Sequence, residues 1–127
     1  MKSNMNEILN LSEVYPKIKS QSLPITTTYK LSKLFTAVQS EKSFYDTQID
    51  SIIQQFGKRG EDGNLLLTDD KTGVQIDTAQ ISAAQEKINE LMSIEVNLPD
   101  ITFTLDELQK VELTVEEFST LMKFIAD

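Results

Sequence analysis

Residues 26–57 read TTTYKLSKLFTAVQSEKSFYDTQIDSIIQQFG, with neither proline nor glycine before the last position. A run this long without a breaker predicts one helix over about 27–56. Thr26 or Thr27 would serve as its N-cap and Gly57 as the C′ residue, with Lys58 and Arg59 favouring the negative end of the helix dipole. The apolar positions form two seven-residue ladders, Leu31, Val38, Tyr45 and Ile52 in one, Phe35, Lys42, Ile49 and Phe56 in the other. That is an a/d-like seam with one polar interruption at Lys42, widened by Leu34, Phe44 and Ile53. At 1.5 Å per residue the helix is about 45 Å long, more than a small domain requires. Other elements must cover it, or it offers a flank to another protein.

Downstream, Glu61-Asp62-Gly63-Asn64 is a turn signal, and two short apolar segments around Asp69–Gly73 predict a β-hairpin over about 64–76, with Gly73 supplying a positive φ. Asp77 or Thr78 then opens a shorter helix over about 78–93, burying Ile81, Ala84, Ile88 and Leu91 and folding back antiparallel on the first. Residues 94–97 and 101–103 read as short extended pieces. Thr104 with Glu107, and Thr114 with Glu117, fit the capping box, in which hydroxyl and carboxylate satisfy orphan amides reciprocally. The first opens about a turn of helix; the second opens a short C-terminal helix over about 115–125. Upstream, Met5–Ser20 predicts one or two short helical pieces, with Pro16 in the first turn of the second. The fold class is therefore α+β, mainly helical, in a single domain over 1–127.

Composition narrows the function classes. The chain has 127 residues, 39% of them hydrophobic, enough for one core. It has no Cys and no His, 12 basic residues and 20 acidic ones, for a net charge of −8. Residues 1–42 carry a net +3 and the remainder −11. An acidic body disfavours direct nucleic-acid binding, because affinity for phosphate comes chiefly from Lys and Arg. The charge chiefly keeps the chain dispersed; its asymmetry also fits head-to-tail self-association or docking on a basic partner. No segment has the apolar length of a signal peptide or a membrane span, so a cytoplasmic protein is expected, and the sequon Asn10-Leu11-Ser12 is read as chance.

Catalytic equipment is sparse. Without His the usual general base near neutral pH is missing; without Cys there is no thiol nucleophile or zinc-thiolate site. The four glycines form no phosphate-binding spacing. Glu61, Asp62, Asp69 and Asp70 depart from the EF-hand spacing, since Leu66 and Lys71 fall on ligand positions, and read as solvated turn residues. The carboxylate pairs Asp106-Glu107 and Glu116-Glu117 sit in first helical turns, where negative charge is favoured in any case. A non-enzymatic protein with no cofactor, metal or small-molecule substrate is expected.

The candidate interaction residues are Tyr29, Leu34, Phe35 and Val38, at the end of the long helix that its shorter mate would leave uncovered, and the acids Glu112, Glu116 and Glu117. The order Leu23-Pro24-Ile25, Tyr29-Lys30-Leu31, Phe56-Gly57, Asp62-Gly63-Asn64, a hairpin, a Glu-rich helix and Leu113-Thr114-Val115-Glu116-Glu117-Phe118 resembles small acidic proteins encoded in tailed-bacteriophage and prophage genomes, a family without an assigned role. The resemblance spans most of the chain and implies an accessory, assembly or virion-associated protein; it carries over no catalytic residue. Two functions follow as expectations. One is self-assembly, or docking on a virion or host protein, through the long helix. The other is inhibition of a host defence or nucleic-acid-binding protein by an acidic surface that mimics nucleic acid.

Overall fold

The protein, described by a computed structural model over residues 1–126, is a mainly helical α+β chain; Asp127 lies outside the described residues. It divides into two compact units, Met1–Ser43 with Glu95–Asp127, and Phe44–Ile94. The long helix belongs to both.

In the first unit, strand β1 (Lys2–Asn4) leads directly into helix α1 (Met5–Lys19). Asn4 caps that helix, its side-chain oxygen accepting from the Glu7 amide at 2.9 Å. Of the one or two short helical pieces expected, the structure has one, α1, of 15 residues, and Pro16 lies inside it and not in the first turn of a second. The proline removes the amide that would bond the Ser12 carbonyl, at a cost of about 3 kcal/mol. Burial of Met5, Ile8, Leu11, Val14 and Ile18 along one face outweighs it, at roughly 1.5–3 kcal/mol per side chain.

Helix α2 runs unbroken over Ile25–Phe56. It begins at Ile25, before either expected cap, Thr26 or Thr27, the Pro24 carbonyl accepting from the Thr28 amide at 2.9 Å. Thr27 is buried, so its hydroxyl is not at a solvent-facing cap position. Strand β2 (Glu95–Asn97) pairs antiparallel with β1, placing Ser3 opposite Val96. Helices α4 (Leu105–Gln109) and α5 (Val115–Ser119) both open with the capping boxes read from the sequence, at Thr104/Glu107 and Thr114/Glu117.

The expected C-terminal helix over 115–125 is shorter. Helix α5 stops at Ser119, where the Thr120 hydroxyl turns back to the Glu117 carbonyl, and a separate 3-10 turn occupies Met122–Phe124. Ile125 is extended and bridges Phe103 in parallel. This arrangement seals the core of the first unit around Phe35, Phe103 and Phe124 with Met5, Ile8, Leu11, Leu34, Leu108 and Leu121.

The second unit contains the Phe44–Phe56 part of α2, a turn-rich segment, a 3-10 turn at Thr78–Gln80 and helix α3 (Ile81–Met92). Its hairpin is present as the antiparallel bridge Leu67↔Val74, but a third piece joins it, with Gly57↔Ile76 and Arg59↔Leu65. The amides of Lys58, Leu66 and Gln75 donate to the carbonyls of Gln75, Lys58 and Leu66 respectively, closing a triangle of bonds of 2.7–2.8 Å. Two glycine expectations change. Gly57 has no positive φ; it is needed because a Cβ there would meet the Ile53 carbonyl oxygen at 2.5 Å. Gly73 has no positive φ either. The turn takes it at Lys71 (φ 60°), and the Asp70 carboxylate holds the loop through the Thr68 hydroxyl and the Thr72 amide. Arg59 does bind the helix end, donating to the Gln54 carbonyl at 3.3 Å and to Gly63 at 2.9 Å.

Candidate functional site

Of the four residues expected to form a docking patch on α2, only Tyr29 is on the surface, 66% exposed. Leu34, Phe35 and Val38 are interior. Helix α1 supplies much of the cover: Tyr15 stacks on Phe35 with ring centroids 5.0 Å apart and 12° between planes. Beside this pair lies a cavity of about 200 Å³ whose walls include Tyr15, Ile18, Leu31 and Phe35, with Lys19 above the Tyr15 ring. That is below the size of ordinary small-molecule pockets.

The acids have been drawn into the fold as well. Glu117 pairs with Lys17 at 2.7 Å and also accepts from the Thr114 amide at 2.8 Å. The Lys17 ammonium, then that amide, hold its carboxyl below the usual glutamate range. The backbone of Glu112 is clamped by the Gln21 amide, which donates to its carbonyl at 3.0 Å and accepts from its N–H at 2.9 Å. Glu116 remains exposed in the first turn of α5. Further pairs join the N-terminal lysines to C-terminal acids, Lys30 to Glu107 at 2.9 Å and Lys2 to Glu95 at 3.3 Å. Of the −11 read beyond residue 42, −6 lies in residues 95–127, where these pairs set part of it against N-terminal lysines, and −5 lies in the second unit. No group of three or more Asp or Glu side chains among the described residues is placed to hold a metal ion.

Open apolar side chains occur in both units, Ile25, Tyr29, Leu105, Val115 and Met122 in the first and Phe44, Leu67, Ile81 and Ile94 in the second; of those in the second, Phe44 and Ile94 line a groove. The second unit's fully buried apolar side chains are Phe56, Ala84 and Leu91. Tyr45, Ile49, Ile52, Ile53, Ile88 and Met92 are only half-buried, and Phe44, Ile81 and Ile94 are exposed. Between α2 and α3 lies a groove of about 430 Å³ with Phe44, Ile52, Leu91 and Ile94 as its apolar lining. Gln48, Ser51, Gln55, Lys87 and Glu90 complete it. Phe44 is 44% exposed and Ile94 37%, both large side chains that folding alone would tend to bury.

Sequence reasoning named Phe44 and Ile52 as part of the helix stripe but placed the sticky end at the opposite half of α2. The available signal was the 57–76 segment, so rich in turns that it had few apolar residues to offer as cover. Comparison of the chain with protein-family models, curated proteins and solved structures finds no match.

Proposed function

We propose that this is a non-enzymatic protein-docking module of the bacteriophage type that the sequence resembles, acting in the host cytoplasm or on the virion through the C-terminal half of α2 together with α3. The single observation that carries this is the groove between α2 and α3, where Phe44, Ile52, Leu91 and Ile94 are set among Gln48, Ser51, Gln55, Lys87 and Glu90. Large apolar side chains left open beside polar ones in a concave surface are a common feature of interaction sites. Support for the nucleic-acid-mimic alternative is thinner, because Glu117 is neutralised within its own chain and leaves Glu112 and Glu116 without a continuous acidic row. Further support for a docking role comes from the amino-acid inventory, which lacks His and Cys.

Site-specific photo-crosslinking tests the proposal. A photoreactive residue replacing Ser51 in the groove should give protein adducts in cells that produce the chain, whereas the same residue at exposed Thr102 should give none. Equal labelling at both positions, or none at Ser51, would remove the basis for a docking groove.

A further inference from the structure

We infer that the cavity between α1 and α2 in the first unit binds a single-ring aromatic carboxylate. This is a second site, which neither rests on the docking groove nor uses any residue of it. Size is the first constraint. The cavity measures about 200 Å³, which is small for a drug-sized ligand but larger than the roughly 150 Å³ at which a cavity lined by Leu, Ile and Phe takes up benzene. One ring with a short polar group fills it.

The apolar walls are already in place. Ile18, Leu31 and Phe35 are buried in the core of the unit, and Tyr15 is fixed by its stack on Phe35, with ring centroids 5.0 Å apart. A ring that enters therefore meets aromatic and branched aliphatic side chains without first having to order them, which keeps the cost of binding low.

The polar groups of the cavity are unequally occupied. The Gln21 side chain is committed to the Glu112 backbone in both directions, and the Thr28 hydroxyl donates to the Leu23 carbonyl. Lys19 is different. Its ammonium lies 5.7 Å from the centroid of the Tyr15 ring and pairs with no carboxylate among the described residues, whereas Lys17, two positions earlier, is matched to Glu117 at 2.7 Å. Neither Asp nor Glu lines the cavity. On a chain of net charge −8, its lining thus carries one cation and no anion. A single ammonium balances one negative charge. A phosphate, with its greater charge, calls for an Arg fork or several N–H donors, and the one arginine, Arg59, belongs to the other unit. Ring-sized apolar space beside one unmatched ammonium selects an aromatic monocarboxylate.

Amide NMR spectra of the isotope-labelled full chain, titrated with benzoate to about 20 mM, test this. Shifts should centre on Tyr15, Ile18, Leu31 and Ser32 and saturate with a Kd on the order of 1 mM, as befits a half-open site with one exposed charge. Benzyl alcohol, of the same size but neutral, should bind there about fivefold more weakly. Lys19→Gln should lower benzoate to the affinity of benzyl alcohol and leave benzyl alcohol unchanged, while Lys33→Gln, which removes a lysine that does not line the cavity, should alter neither. Ser32 is exposed on α2, so Ser32→Phe spares the core, supplies a ring of its own at the cavity wall and should weaken both ligands at least tenfold. No saturating shift at the lining residues, shifts centred elsewhere, or binding indifferent to Ser32→Phe overturns the site. Equal affinity for benzoate and benzyl alcohol, or a preference that survives Lys19→Gln, overturns the carboxylate. Crosslinking at Ser51 is untouched by any of these results, so the two sites stand or fall separately.

Discussion

Gly57 and Gly73 sit in the same triangle of bridges and should respond oppositely to an added methyl group. A Cβ at Gly57 meets the backbone oxygen of Ile53 at 2.5 Å and the Leu65 side chain at 2.6 Å, so Gly57→Ala should cost about 2 kcal/mol or more. At Gly73 the nearest atoms lie at 3.8 Å, ordinary contact, and Gly73→Ala should be neutral or stabilise by about 0.4–1 kcal/mol through loss of unfolded-state freedom. Urea denaturation decides both, and a Gly57→Ala protein as stable as the parent would show that the close approach is not maintained. Glu117 gives a pH signature. Its carboxyl lies below its ordinary 4.5 because Lys17, and then the Thr114 amide, bond the charged form. A depressed folded-state pKa means that its contribution is complete above the ordinary value and disappears as pH falls through the folded one. The stability gap between the parent and Glu117→Gln should therefore narrow in urea titrations as pH is lowered from about 6 to about 3. Glu107, held down by the Thr104 amide and then by Lys30, should behave in the same way. A gap that is independent of pH would mean that these carboxylates are not bonded in solution.

Helix α2 carries two ladders that look alike in sequence and differ entirely in what covers them. Phe35 lies under α1, so Phe35→Ala should destabilise the fold by about 3–5 kcal/mol. Phe44, at 44% exposure, should tolerate the same change within about 1 kcal/mol while losing its docking partner. Thermal unfolding beside photo-crosslinking at Ser51 separates the two effects; equal destabilisation at both sites would indicate that the second unit is as well packed as the first. Length, continuity and the two capping boxes were legible because each is a local signal: absence of Pro and Gly, or a Thr three positions before a Glu. Which half of α2 is covered was not legible, because that depends on α1 remaining whole through Pro16 and on a C-terminal segment far away in sequence. Strand β1 was missed for a related reason. Lys2-Ser3-Asn4 has no strand pattern of its own and is held extended by Glu95–Asn97. Likewise Gly73 looked like the turn's left-handed residue, but the Asp70 carboxylate stabilises that conformation at Lys71 instead.

The whole molecule is two units of unequal quality. The first has a dense core with three buried Phe rings; the second buries Phe56, Ala84 and Leu91 and leaves the rest of its apolar side chains partly wet. Hydrogen exchange should accordingly be faster in α3 and in residues 57–76 than in α1. Uniform protection across the chain would contradict this. The pairing of β1 with β2, and of Phe103 with Ile125, has a further consequence for how the polypeptide emerges from the ribosome. The 44–94 unit is contiguous and is complete once its last residue is translated, whereas the first unit, with Phe35 already under Tyr15, still lacks β2 and the core side chains Phe103, Leu108, Leu121 and Phe124 until residues 95–126 follow. During that interval the better-packed unit is the vulnerable one, its greasy residues open to chaperones and proteases while the weaker unit is already assembled.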